Sequence, residues 1–195
     1  MLPIEPKVAY TAFVAVLVPV YLRQYGPGNF LWFSDIALFA GCLALWLELP
    51  LLASMQAIAV LIPELLWTAD FVLRLARGRG LGGGTMTQYM FDASIPRATR
   101  ALSLFHLWLP PALIWMVWRM GYDRRALAVQ AVSGGILVIA SRLLTDPKEN
   151  VNWAHEWPSL RGPWPVVLGV LLMPVVFYLP AHLLLSAVIA APEGP

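Results

Sequence analysis

Carboxylates and imidazoles are the side chains that most often move protons at neutral pH. The chain has few of either, with three histidines and 11 aspartates plus glutamates. Glu64, Asp70, His106 and His155 are the candidate catalytic residues, as acid, base or partner of either. Glu64 directly follows Pro63 within an apolar run. Proline removes one helical hydrogen bond, and membrane helices tolerate such a break where neighbours or water satisfy the freed groups. His106 stands in Leu104-Phe105-His106-Leu107-Trp108, and His155 in Asn150-Val151-Asn152-Trp153-Ala154-His155-Glu156-Trp157. Asp35, Arg100, Arg142 and Asn152 are candidate substrate-binding residues. Together with Arg77, Arg79 and Arg97, the last two arginines suit an anionic headgroup.

Each candidate also has a purely structural reading. Asp35 follows Ser34 at a helix start, where the dipole favours a negative charge. Asp70 and Arg74 are an i, i+4 acid–base pair. His106 suits a hydrogen bond to a neighbouring helix. His155 lies among Trp153, Trp157 and Trp164, which fit headgroup-level anchors. His182, near the far end of the last apolar run, lies away from the other candidates.

Familiar catalytic motifs are missing. Gly80-Leu81-Gly82-Gly83-Gly84-Thr85 lacks the lysine of a phosphate-binding loop and reads as a flexible linker. Neither His-Glu-x-x-His nor Gly-x-Ser-x-Gly occurs. His106, His155 and a carboxylate are the right ligand types for zinc or iron, yet no ligand spacing supports a metal site. No cofactor is identified.

The elements that position these residues follow from composition. Of 195 residues, 59% are hydrophobic and 12% charged, and mean hydropathy is +0.71. A soluble domain is about one quarter charged, so an ordinary soluble fold is excluded. The aromatic content of 12% excludes a disordered chain, and one cysteine excludes a disulfide framework. A net charge of +2 excludes a nucleic-acid partner. The fold class is all-α: a single membrane-embedded helix bundle over residues 1–195. A spanning helix takes about 20 apolar residues. Six runs qualify: 8–22, 30–47, 51–73, 101–120, 125–144 and 164–190. Glu48, Leu49 and Pro50 alone separate the second and third, which suits a tight helical hairpin. The first run has the length of a signal peptide, but no small-x-small site follows Val20-Tyr21-Leu22-Arg23, so it reads as a retained helix.

Six spans put both termini on one side, with Lys7, Arg119, Arg124 and Arg125. The other side holds Arg23, Arg74, Arg77, Arg79, Arg97, Arg100, Arg142, Lys148 and Arg161. The bias predicts that loops 1–2, 3–4 and 5–6 are cytoplasmic. Counting inward from that face at about 1.5 Å per residue, Asp35 and His106 lie about 8 Å deep, Asp70 about 5 Å and Glu64 about 14 Å. Arg142 sits at the same end, and loop 5–6 adds Asp146, Asn150, Asn152, His155 and Glu156. A polar pocket at the cytoplasmic face is expected, with Glu64 as its floor. Glu64 and Asp70, six residues apart, should point about 120° apart and so not share one narrow site.

Asn29-Phe30-Leu31-Trp32-Phe33-Ser34-Asp35, Leu104-Phe105-His106-Leu107-Trp108-Leu109-Pro110 and Thr145-Asp146-Pro147-Lys148-Glu149-Asn150-Val151-Asn152-Trp153 resemble an uncharacterised group of bacterial multi-pass membrane-associated proteins. The resemblance spans most of the chain. It implies that these polar positions are family features and brings no activity with it. Three functions compete: action on a lipid or lipid-linked substrate at the cytoplasmic leaflet of a bacterial inner membrane, transport of a cation or proton, and a non-catalytic subunit or assembly factor. The expected partners are the bilayer and a lipid substrate. Oligomeric state is not legible.

Overall fold

Pro50–Arg77 forms the longest helix of the chain, and the others are arranged around it. The structure is a computed structural model that describes residues 1–81, 86–157 and 159–190. The glycines at 82–84 and Thr85, part of the stretch read as a linker, lie outside the described residues. The helices are α1 (Ile4–Tyr25), α2 (Phe33–Leu47), α3 (Pro50–Arg77), α4 (Arg97–Leu102), α5 (Phe105–Met120), α6 (Ala126–Leu144), α7 (Trp164–Met173) and α8 (Leu179–Val188). Among the described residues there is no strand. Five helical stretches are long and apolar enough to cross a membrane, and Phe33–Leu47 is a shorter sixth. The fold is a helical membrane bundle.

The helices depart from the six apolar runs where local chemistry intervenes. α1 extends beyond 8–22 at both ends. The second run, expected from residue 30, starts as a 3-10 turn over Pro27–Leu31, and α2 begins only at Phe33. The fourth is broken at Ser103 and Leu104, so α4 is a short helix ahead of α5. The sixth is interrupted by a π turn at Pro174–Tyr178, just before Pro180 in α8. Proline lacks the N–H that would bond one turn back, and a π turn accommodates the gap. α3, by contrast, continues through Pro63.

Helix packing inside a bilayer relies on close approach of small residues, because lipid is as apolar as a leucine side chain. α3 accordingly buries Ala53, Ala57 and Ala59 against its neighbours α2, α5 and α6. α6 buries Gln130, Gly134, Val138 and Ser141 on one face and exposes Val132, Ile136 and Leu143 on the other. Gly134 is required by contact: a Cβ there would come within 2.6 Å of the Tyr178 hydroxyl.

The hairpin between α2 and α3 forms as its sequence predicts, with Glu48 in the left-handed region at φ 52°. Glu48 accepts hydrogen bonds from Lys7 Nζ at 2.7 Å and from the Leu2 amide at 2.9 Å. At the same end, Arg125 pairs with Asp123 at 2.7 Å, the Asp123 amide donates to Ser54 Oγ, and Tyr122 bonds His182 Nδ1 at 2.8 Å. The Lys7 hydrogen bond holds the Glu48 carboxyl below its usual range, and Arg125 does the same for Asp123. A carboxyl whose folded pKa is depressed adds stability above its unfolded value and loses it as pH falls through the folded one. Thermal stability in neutral micelles should therefore fall as pH drops below about 4.5, the ordinary glutamate value. Glu48→Gln should flatten part of that fall. An unchanged pH profile in the variant would show that Glu48 contributes nothing to it.

Candidate functional site

Loops 1–2, 3–4 and 5–6 meet at the end of the bundle opposite Glu48, and a cavity of about 650 Å³ opens among them. Its wall includes Asp35 from α2, Glu64, Trp67 and Asp70 from α3, Phe105 and His106 from α5, and Asn152 from loop 5–6. Glu64 and Asp70 both line it. The expected 120° divergence is accommodated because the cavity is wide and loop 3–4 folds back over the end of α3.

Glu64 and His106 form the central contact. His106 Nδ1 lies 2.7 Å from Glu64 Oε2, and both side chains are largely buried. One proton is shared between them, since two lone pairs do not bond. The break at Ser103 and Leu104 places His106 in the first turn of α5 rather than deep in a continuous helix. Two rings stack on the imidazole, Trp67 at 4.5 Å and Phe105 at 4.2 Å between centroids. Stacking and the carboxylate together restrict the ring's rotation. Nε2 remains the ring nitrogen with no hydrogen bond among the described residues.

Asp35 is 3% exposed. Its Oδ2 accepts a long hydrogen bond from Asn29 Nδ2 at 3.4 Å. Its Oδ1 is buried with no partner among the described residues, as is the Tyr25 hydroxyl on the same wall.

The other candidates are engaged in holding loops. Asp70 accepts hydrogen bonds from the Leu81 amide at 2.6 Å, the Thr87 amide at 3.0 Å and the Thr87 hydroxyl. Arg74 lies 3.9 Å away, so the pair expected one turn apart is present. Gly80 passes so close to this carboxylate and to Arg74 that a Cβ would collide with both. Asp70 thus closes the described flanks of loop 3–4 onto α3. An Asp70→Asn variant keeps one good acceptor for these donors, and an unmet buried donor costs about 1–3 kcal/mol. Trypsin should then cut faster near Arg77 and Arg79. Cleavage at the wild-type rate would show that Asp70 does not restrain the loop.

His155 and Arg142 are joined to each other, 3.1 Å apart at Nδ1 and Nη1. Arginine only donates, so Nδ1 accepts and the Nε2–H points to Thr145 Oγ1 at 3.3 Å. Arg142 also donates to the backbone oxygens of Ala154 and His155. Asn152 donates to Leu31 O at 2.7 Å and Ser141 Oγ at 2.9 Å, and accepts from the Phe33 amide at 3.1 Å. Arg100 donates to Met90 O. Neither Arg100, Arg142 nor His155 lines the cavity, and Arg77, Arg79 and Arg97 do not either. His106 and His155 have separate partners. Among the described residues no group of three or more His, Cys, Asp or Glu is placed to hold a metal ion.

Several cavity residues carry no signal of their own in the sequence. Tyr21, whose hydroxyl is bonded to Ser103 Oγ, joins α1 to the break before α5. Tyr25 and Tyr89 complete that wall. Trp67 was the most accessible of these, because it stands three residues from Glu64 and so shares its helix face.

No family model matches the chain, and neither a curated protein nor a solved structure matches it.

Proposed function

We propose that this membrane protein acts on an amphipathic, lipid-class substrate by proton transfer at the Glu64–His106 pair. The observation that carries this reading is the 2.7 Å carboxylate–imidazole contact on the wall of a cavity of about 650 Å³. With the Nδ1 proton held by Glu64, Nε2 is free to take a proton from a substrate hydroxyl or a water. Glu64 then stabilises the imidazolium, which returns the same proton to an oxygen of the substrate and regenerates the neutral ring. Aromatic side chains make up much of the wall and suit the apolar part of such a substrate. Asp70, His155 and Asn152 hold the loops that frame the site.

The excess of Lys and Arg at the cavity end supports placing that end at the cytoplasmic face of a bacterial inner membrane. At the other end, Lys7 and Asp123 are paired with Glu48 and Arg125, which favours a pocket over a path through the bundle.

The test is the lipid profile of cells lacking the protein, complemented with wild type, Glu64→Gln or His106→Ala at matched expression. Wild type should restore the profile and neither variant should. Full complementation by both variants overturns the reading. A proton flux in proteoliposomes that disappears in Glu64→Gln replaces it with transport.

A further inference from the structure

We propose that the cavity selects an ammonium group, with Asp35 as its counter-ion and aromatic faces around it. The inference rests on the reading of the cavity as a substrate site and names the substrate's class, a cationic or zwitterionic amphiphile.

Acidic side chains dominate the cavity wall, with His106 as the basic lining residue and Arg74 standing 3.9 Å from Asp70. Asp35, Glu64, Asp70 and Glu149 line it, and no lysine or arginine does. The residues at 82–85, 158 and 191–195 include no lysine or arginine either, so the undescribed segments supply no missing cation. The guanidiniums of Arg100 and Arg142, which suited an anionic headgroup in the sequence, donate instead to Met90 O and to the Ala154–His155 backbone. An anion entering this cavity meets like charge, whereas a cation meets a counter-ion.

The four carboxylates are not equivalent. Asp70 is taken up by three donors of loop 3–4. Glu64 is bonded to His106, and Glu149 is exposed. Asp35 alone combines deep burial, at 3% exposure, with a side-chain oxygen that has no partner among the described residues. A buried carboxylate oxygen without a donor is costly, and a cation or N–H group placed against it removes that cost.

The rest of the wall suits the same guest. Tyr21, Tyr25, Trp32, Trp67, Tyr89 and Trp153 all line the cavity. Aromatic faces attract ammonium groups, most strongly when water is excluded. The unpartnered Tyr25 hydroxyl offers an acceptor for an ammonium N–H.

The experiment uses the full chain in neutral maltoside micelles and follows the fluorescence of its tryptophans, three of which line the cavity. The probes are dodecyltrimethylammonium, its uncharged carbon isostere, dodecyl phosphate, lysophosphatidylethanolamine and tetramethylammonium. Dodecyltrimethylammonium should bind saturably, at least about tenfold more tightly than the isostere, and Asp35→Asn should remove that preference. Binding of lysophosphatidylethanolamine as well identifies a lipid headgroup as the source of the ammonium. Binding of dodecyltrimethylammonium and tetramethylammonium without it identifies a free quaternary ammonium ion as the source. Equal binding of cation and isostere by wild type overturns the proposal, whatever the folding of the variant. Tighter binding of dodecyl phosphate, or an unchanged preference in a folded Asp35→Asn protein, also overturns it. His106→Ala should fail to restore the lipid profile, and the cation preference is read on wild type and Asp35→Asn alone. That preference beside full complementation by Glu64→Gln and His106→Ala would reject the proton-transfer reading and leave the ammonium site standing.

Discussion

His106→Leu is expected to destabilise the bundle more than Glu64→Leu, and the double replacement is expected to be more stable than His106→Leu alone while remaining inactive. The reasoning starts from what each change leaves behind. Glu64→Leu leaves a neutral imidazole between Trp67 and Phe105, still stacked on both rings. A hydrogen bond between helices in a bilayer is worth about 0.6–1.7 kcal/mol, and the loss should fall in that range. His106→Leu leaves a buried carboxyl with no partner. Removing one member of a buried charged pair costs about 3–5 kcal/mol, reduced where the carboxyl takes up a proton instead. Replacing both members by apolar residues removes the orphaned group altogether. Unfolding in mixed micelles of all four proteins gives the coupling energy directly, expected at about 1–3 kcal/mol. Complementation assays on the same four proteins separate structure from chemistry. A stable double variant that restores the lipid profile would reduce the pair to a structural contact. Single variants as stable and as active as wild type would remove any role for it.

Asn152→Ala is expected to be the most damaging change outside that pair. Asn152 is 2% exposed, and its amide joins three separate elements. It caps the Phe33 amide at the start of α2, binds Leu31 O in the preceding turn and reaches Ser141 in α6. Alanine leaves the Phe33 amide and Leu31 O without this partner in a half-buried place, at up to about 1–3 kcal/mol for each polar group orphaned, while Ser141 Oγ keeps its bond to Leu137 O. The backbone adds to the loss. Asn152 sits in the left-handed region at φ 53°, which asparagine tolerates and alanine resists by about 1–2 kcal/mol. Asn152→Gly keeps the conformation but loses the same hydrogen bonds, so Gly should be less harmful than Ala by about that backbone amount. Loss of about 3 kcal/mol or more is expected for alanine, read as the midpoint of unfolding in micelles. Alanine and glycine variants equal to wild type would show that loop 5–6 is held by other contacts. The consequence for the site is indirect: Asn152 fixes the start of α2, and Asp35 lies in the first turn of that helix.

Some of the site was readable before any coordinates. Glu64 directly follows Pro63 within an apolar run, which marked it as a candidate, and it lines the cavity. Counting residues from the ends of the apolar runs brought Asp35, Glu64, Asp70 and His106 to one end, and the cavity is found there. What each residue does at that end was not readable. Asp70 and Glu64 are both carboxylates on α3, yet one receives loop amides and the other an imidazole. The difference arises from where loop 3–4 returns and where the fourth run breaks, and neither is encoded in residue spacing along α3.

The same division holds for the arginines. Their number and placement along the chain set a charge bias between the two ends of the bundle, which depends only on composition and order. Their removal from the cavity depends on which carbonyls the folded loops present to them. Composition alone established a bundle of apolar helices, because a surface so poor in charge is stable only against lipid. The identity of the carboxylate with an unpartnered oxygen came from packing. Of the acids that reach the cavity, Asp35 is the buried one whose Oδ1 has no partner among the described residues, its Oδ2 being held by the long hydrogen bond from Asn29, and that follows only from the positions of all its neighbours at once.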